Sequence, residues 1–196
     1  MSAPTPLSII VPVYNDAASI EQALASLQPL RARGHELLVV DGGSRDGGVT
    51  LARRHADRVL LSGTGTVLQM NSGSEYASHD ILLFLPLGTA LPPDADALIA
   101  AALQPAAAQW GGFRLRFASG GLGALAASFV INRLASSRGS VVAEQCVFAK
   151  RPFFERVRGF DTTTPQTLCE RLRMAAPPVL LPQAVTSLTA DVRRLL

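Results

Sequence analysis

The chain has 196 residues, of which 48% are hydrophobic and 17% are charged, against about 25% charged residues in an average soluble domain. A chain of this length buries a sizeable core, so neither disorder nor a scaffold held together by disulfides or metals is expected. The two cysteines, Cys146 and Cys169, have no CxxC spacing and no neighbouring pair of histidines. This pattern argues against a zinc motif and is typical of a reducing, cytoplasmic compartment.

Charge is distributed unevenly along the chain. Residues 1–98 carry 6 arginines against 10 acidic residues, a net charge of −4, whereas residues 99–196 carry 12 cations against 5 acidic residues, a net charge of +7. The basic half fits an anionic partner such as nucleotide phosphates or a membrane surface, although a coding bias towards arginine explains the same counts. Only 6% of the residues are aromatic and no basic run alternates with aromatic residues, so no nucleic-acid partner is expected.

The first half alternates short apolar runs with helical patterns. Leu7–Val13 predicts a strand buried on both faces, and Ser19 with Gln22 predicts a capping box for a helix that ends near residues 33–34. Glu36–Asp41 predicts the next strand, which makes a parallel βαβ unit. The pattern continues with a turn at 41–48, a helix to about residue 55, a strand at Arg58–Leu61, a helix at 66–77 and a strand at 81–85.

The second half predicts fewer strands. Trp110–Phe117 alternates as a strand with one face towards solvent, and 141–149 is strand-like. Helices are predicted at 94–103, 151–157 and 167–174. Together these elements predict an α/β fold, a single domain over residues 1–196 with a mostly parallel sheet flanked by helices.

An apolar stripe at helical spacing follows the Trp110–Phe117 strand. We expect this face to pack against the core; its residues are Leu122, Leu125, Ala126, Phe129 and Val130. Arg133 and Arg138 flank the stripe and leave peripheral membrane contact as the alternative. Neither a secretory signal nor a spanning helix is expected, because residues 1–6 lack a basic start and the uncharged stretches are short.

Two polar clusters follow the first two predicted strands. Tyr14-Asn15-Asp16 comes after the first, and Asp41-Gly-Gly-Ser44-Arg-Asp46-Gly-Gly48 after the second. In an open parallel sheet ligands bind beyond the carboxyl ends of the strands. Glycines allow close approach of a ligand, and the carboxylate of Asp41 can accept hydrogen bonds from a base or a ribose. Turn chemistry explains the same residue types without a ligand.

The clusters belong to longer motifs: Ser8-Ile-Ile-Val-Pro-Val-Tyr-Asn-Asp16, Leu38-Val-Val-Asp-Gly-Gly-Ser-Arg-Asp46, Gln69-Met-Asn-Ser-Gly73, Ile81-Leu-Leu-Phe-Leu85, Thr89-Ala-Leu-Pro-Pro93, Glu144-Gln-Cys-Val-Phe-Ala-Lys-Arg-Pro-Phe153 and Arg158-Gly-Phe160. In these motifs the chain resembles the family 2 glycosyltransferases with the GT-A fold, a Rossmann-like architecture, and a small bacterial subgroup of them whose members are also short. The resemblance is close over residues 7–96, the nucleotide-binding half, and looser over 110–182, the acceptor-side half.

The resemblance implies transfer of a sugar from a UDP- or GDP-linked donor to an acceptor hydroxyl, usually with Mg²⁺ or Mn²⁺. The acceptor, the stereochemistry and the oligomeric state are left open. The resemblance also implies a set of nucleotide-binding residues: Pro12, Tyr14, Asp16, Asp41, Gly43, Ser44, Gln69 and Asn71.

The chain departs from the family's pattern where the chemistry occurs. The family's metal-binding aspartate after the fourth strand is replaced by Pro86-Leu87-Gly88, so no metal ligand is predicted. The arginines that the subgroup carries before Gln-Met-Asn are replaced by Thr66 and Leu68. By count alone, Arg114 and Arg116 are candidates to replace the cation.

The acidic pair that family members use as the catalytic base falls at Thr164-Pro165. The remaining candidate carboxylates are Glu144, for which an acceptor-side or structural role is expected, and Asp161. Two hypotheses follow: a glycosyltransferase with weakened activity, or a catalytically inactive relative that binds a nucleotide, a sugar or a protein.

Overall fold

The predicted strands of the first half lie side by side and form one half of a single sheet. The computed structural model describes residues 5–119, 121–160 and 169–188. The described strands are β1 Leu7–Val13, β2 Glu36–Asp41, β3 Arg58–Leu61, β4 Ile81–Phe84, β5 Thr89–Ala90, β6 Trp110–Phe117, β7 Phe148–Lys150 and β8 Val179–Ser187. The described α-helices are α1 Ala17–Ala25, α2 Gln28–Ala32, α3 Gly48–Ala52, α4 Thr66–Glu75, α5 Ala95–Leu103, α6 Gly121–Arg138, α7 Arg151–Arg156 and α8 Glu170–Ala175.

The strand order is β3-β2-β1-β4-β7-β6-β8-β5. β1 pairs in parallel with β2 from Ser8↔Glu36 to Val13↔Asp41, and with β4 up to Ile10↔Phe84. β7 is antiparallel to both β4 and β6, so β6 runs in the same direction as β1. The carboxyl ends of β1, β2, β4 and β6 therefore lie at one edge of the sheet. This confirms the predicted α/β, mostly parallel fold.

Two helical predictions were wrong in detail. The first helix begins at Ala17, with Asp16 at its N-cap position and no side-chain cap, so the predicted capping box of Ser19 and Gln22 does not form. The helix then breaks, and α2 begins as a separate helix with Pro29 in its first turn. Proline favours the start of a helix because its nitrogen carries no hydrogen to donate within one.

The strand predicted at 141–149 is mostly not a strand. Ala143–Gln145 forms a single 3₁₀ turn, and only Phe148–Lys150 pairs within the sheet. Cys146, between the two, has a φ of 49°, a left-handed conformation that interrupts an extended chain.

The prediction that the apolar stripe of α6 packs into the core was wrong. Leu122 is 87% exposed, Leu125 65% and Phe129 72%. The helix instead buries its opposite side: Ala124, Ala127, Ile131 and Ala135. Small side chains let the helix approach the sheet closely, and the spacing of apolar residues alone does not show which of two apolar faces is buried.

A buried polar network holds the other edge of the sheet. The Nδ1 atom of His35 accepts a hydrogen bond from the Leu7 N–H at 3.1 Å, and its Nε2 lies 2.9 Å from an oxygen of Asp96 on α5. Arg33 donates to the same carboxylate through Nε at 2.7 Å. Burial alone would raise the pKa of Asp96, but the hydrogen bonds from Arg33 and His35 outweigh it and lower this pKa to about 2.

Because the pKa of Asp96 is depressed in the folded state, its stabilising effect is present above its unfolded pKa and lost as the pH falls towards 2. We expect Asp96→Asn to lower the free energy of unfolding by about 2 kcal/mol at about pH 7. Urea unfolding at a series of pH values checks this. The difference in unfolding free energy between wild type and variant should shrink as the pH falls from about 4 towards 2. A gap that does not change with pH would contradict the assignment.

Candidate functional site

The loops that follow β1 and β2 are hydrogen-bonded to each other. The Asn15 N–H donates to Ser44 Oγ at 2.8 Å, and the Arg45 N–H donates to Asn15 Oδ1 at 2.9 Å. Asp46 accepts from the Ala17 N–H at 2.7 Å and from the Gly48 N–H at 3.0 Å. The two polar clusters of the sequence therefore meet at the carboxyl edge of the sheet as one connected unit.

Asp46 lies between the first residues of α1 and α3. The hydrogen bonds from the Ala17 and Gly48 backbone N–H groups hold the pKa of its carboxyl group below the usual value. Asn15 has a φ of 54°, a left-handed conformation that asparagine tolerates better than most residues. Asn15 and Asp46 both lie within the sequence motifs, but neither was predicted to have a function. The patterns that could have identified them are an asparagine in a turn and an acidic residue before a helix.

Asp41 is the buried acid at this edge, with only 1% of its surface exposed. Its Oδ2 accepts hydrogen bonds from the Gly43 and Ser44 N–H groups, each at 3.0 Å. Its Oδ1 is buried and has no hydrogen-bond partner within the part of the chain that the structure describes. Buried polar atoms are rarely left unpaired, so this oxygen is a candidate acceptor for a ligand's donor.

Gln69 and Asn71 are predicted nucleotide contacts. Their side-chain amides already form hydrogen bonds within the protein. Gln69 is buried on α4, and its Nε2 donates to Val13 O and to Val40 O, each at 2.7 Å. Asn71 donates to Phe160 O and accepts from its N–H. Gln69 thus joins the ends of β1 and β2, which positions Asp41, the residue after Val40. Contact of either residue with a nucleotide stays a prediction.

Pro12, Tyr14 and Asp16 lie where β1 ends. Pro12 is buried and pairs with Val40, beyond the last residue pair of β1 with β4. The side chain of Tyr14 is 48% exposed, and its backbone N–H donates to Asp16 Oδ2 at 3.0 Å. Asp16 lines a cleft of about 400 Å³ between α1 and residues 85–90. A cleft of about 450 Å³ between α6 and residues 173–178 contains none of the predicted nucleotide-binding residues.

The end of β4 supplies no carboxylate to this cleft. Pro86, Leu87 and Gly88 line it, and Gly88 has a φ of 80°. Within the described residues there is no group of three or more histidine, cysteine, aspartate or glutamate side chains placed to hold an ion. Mg²⁺ and Mn²⁺ prefer oxygen ligands, carboxylates above all. The residues present at this position do not fit such an ion.

The remaining catalytic candidates either do not line this cleft or lie outside the described residues. Glu144 is in the 3₁₀ turn, where burial raises the pKa of its carboxyl group. Arg114 and Arg116 are exposed on β6, and neither lines the cleft that holds Asp16 and Gly88. Asp161 and Thr164-Pro165 lie outside the described residues.

The hydrogen bonds of Gln69 allow a test of whether this residue stabilises the carboxyl ends of β1 and β2. Gln69→Ala removes both bonds, although Val13 O keeps the Gly42 N–H as a donor, so we expect the free energy of unfolding to fall by about 1–3 kcal/mol. Chemical denaturation measures the change, with the exposed Gln104→Ala as the matched control. Equal stability of the two variants would contradict the positioning role.

The comparisons with known proteins agree with this geometry. The sequence profile of Glycosyl transferase family 2 matches residues 8–144. The glycosyltransferase AglE of Haloferax volcanii is 35% identical over 88 residues, which cover 40% of this chain and 29% of that protein. The validoxylamine A glucosyltransferase of Streptomyces hygroscopicus is 30% identical over 113 residues, which cover 53% of this chain and 27% of that protein. The matched region thus spans less than a third of either relative.

Solved structures share the fold over nearly the whole chain. The mannosyltransferase PcManGT of Pyrobaculum calidifontis, in complex with GDP-Man and Mn²⁺, is similar with a TM-score of 0.70 and 21% identity, over 94% of this chain and 57% of that one. The glucosyl-3-phosphoglycerate synthase of Mycobacterium tuberculosis, in complex with Mn²⁺, UDP and glucosyl-3-phosphoglycerate, has a TM-score of 0.68 and 18% identity, over 97% of this chain and 75% of that one. The family profile matches most of the chain, and the solved structures similar to it have the GT-A fold. The chain therefore belongs to glycosyl transferase family 2.

Proposed function

We propose that the chain binds a nucleotide sugar where β1 and β2 end and transfers the sugar to an acceptor hydroxyl, with weakened activity. The observation that carries the proposal is Asp41, a buried carboxylate with one oxygen bound by Gly43 and Ser44 and the other without a partner among the described residues. The backbone holds this carboxylate in place, and the atoms that cover its unpaired oxygen must move before a ligand can donate to it.

The free oxygen selects for a ligand that donates a hydrogen bond. Uracil and guanine carry a ring N–H that a carboxylate can bind, whereas the corresponding ring nitrogens of cytosine and adenine are acceptors. The half-exposed ring of Tyr14 lies at the same edge and offers a face on which a base can stack. The similar solved structures hold GDP-Man or UDP, which supports a UDP- or GDP-linked donor for this chain.

Weak activity follows from the residues at the end of β4. A divalent ion at a diphosphate stabilises the leaving group by several kcal/mol, and Pro86-Leu87-Gly88 offers it no carboxylate. A general base contributes about 10² to 10⁴-fold, and the position expected for it reads Thr164-Pro165. Both losses leave binding of the nucleotide base untouched, because Asp41 and its loop are intact.

The second candidate function is a binding module without catalysis. Glu144 favours it, because this remaining candidate carboxylate does not line the cleft that holds Asp16 and Gly88, where a general base would be needed. Release of UDP or GDP from the matching nucleotide sugar, measured in an enzyme-coupled assay, separates the two. Binding of the donor without any release of diphosphate would favour the module.

Calorimetric titration of the full chain with UDP and with GDP tests the binding site. We expect Asp41→Asn to weaken binding by about tenfold or more, because a hydrogen bond to a charged acceptor becomes one to a neutral amide. The exposed Asp80→Asn is the matched control and should bind like wild type. Absence of binding to wild type, or equal affinity of Asp41→Asn, would contradict the proposal.

Restoring a carboxylate at the end of β4 tests the account of the missing ion. Gly88 has a positive φ, which aspartate and asparagine both tolerate better than most residues. We expect Gly88→Asp to make nucleotide affinity increase when Mn²⁺ is added, and Gly88→Asn to leave it independent of the ion. Strong Mn²⁺ dependence in wild type would show that other residues hold the ion.

A further inference from the structure

The apolar face of α6 is a fixed, solvent-exposed surface. It consists of Leu122, Leu125, Ala126, Phe129 and Val130. Exposed clusters of large apolar side chains are uncommon on isolated soluble domains and mark sites of contact with a protein or a membrane. Sequence analysis expected this face in the core, so its exposure leaves it without a partner among the described residues.

The helix is firmly attached to the sheet on its other side. The Leu115 N–H donates to Asn132 Oδ1 at 2.8 Å, and Asn132 Nδ2 donates to Leu115 O at 2.9 Å. The side chain of Asn132 therefore bonds to β6 as a neighbouring strand would. This contact at Leu115 lies beyond Trp110 and Gly111, the residues of β6 that pair with β7. Since this contact and the buried Ala124 and Ile131 hold the helix, its apolar face cannot turn inward without breaking them.

The charged residues of β6 and α6 are all basic. Residues 97–143 contain no aspartate or glutamate, and their four charged residues are exposed arginines: Arg114, Arg116, Arg133 and Arg138. Arg133 follows Phe129 by one helical turn on the same side. Arg114 lines a cleft of about 220 Å³ with Asn132 and Ser136, directly beside α6. An apolar face bordered by arginines matches the interior and the headgroups of an anionic bilayer.

A second copy of the chain fits this face less well. A symmetric contact places the same surface of both copies together, so Arg133 would meet a surface with no acidic residue of 97–143 to pair with it. Crossing a bilayer does not fit either: within the described ranges, no helix has both the length and the apolar composition that this requires.

We infer that α6 is a docking surface for anionic lipid membranes, with Leu122, Leu125 and Phe129 inserted among the acyl chains and Arg133 at the phosphates. α6 begins where β6 ends, and β6 runs in the same direction as β1. Docking would therefore bring the carboxyl end of β6 near the membrane surface, with Asp41 on β2 separated from β6 by three strands. The inference goes beyond nucleotide binding and does not depend on it.

Cosedimentation of the full chain with vesicles, in the absence of nucleotide, tests the inference. Wild type should bind vesicles that contain phosphatidylglycerol, bind phosphatidylcholine vesicles more weakly, and lose affinity as salt is added. Leu122→Ser combined with Phe129→Ser should abolish binding. Arg133→Gln should weaken binding to the anionic vesicles by about fivefold.

Exposed residues outside the face supply matched controls. Leu61→Ser, at a side chain that is 75% exposed on β3, and Arg53→Gln should bind vesicles like wild type. Circular dichroism should show that every variant is folded, since all the changed residues are exposed. No binding of wild type to anionic vesicles, or equal binding by the double serine variant, would overturn the inference. A dimer in light scattering that the double serine variant abolishes, without vesicle binding, would assign the face to a second copy instead.

Discussion

The parallel pairing of β1 with β2 is the constraint on which the candidate site depends. It places Val13 beside Asp41, and Gln69 fixes both strand ends by donating to Val13 O and Val40 O. The loops beyond these ends are then joined through Asn15, Ser44 and Asp46. Asp41 is held in this frame as a buried acceptor whose Oδ1 has no partner among the described residues, so its position depends on the sheet and not on a single loop.

In this frame the residues proposed for binding and the positions expected for catalysis belong to different elements. The side chains proposed to hold the base belong to β1, β2 and their loops, whereas the expected ion ligand belongs to the end of β4 and the expected base to the acceptor-side half. Gly88 makes none of the hydrogen bonds that hold Asp41, which come from Gly43 and Ser44. The proposal of a nucleotide site with weakened catalysis rests on this separation.

Much of the fold could be predicted because its strands are continuous apolar runs. β1, β2, β3 and β6 have their predicted bounds. β8 was missed since Pro182 interrupts its pattern, and the register against β6 shifts between Phe113 and Arg114. For α6 the spacing of Leu122 and Phe129 predicted a helix, but Ala124 and Ile131 form a second apolar face, and only packing decides which one is buried. The role of Gln69 depends on two distant carbonyls, which no local pattern reveals.

Hydrogen–deuterium exchange of the full chain, with and without UDP or GDP, measures most directly where a nucleotide binds. The account predicts slower exchange of the backbone amides in residues 13–17 and 41–48 for at least one nucleotide, with unchanged exchange in α6. Unchanged exchange in both loops at saturating nucleotide, or protection confined to another part of the chain, would contradict it.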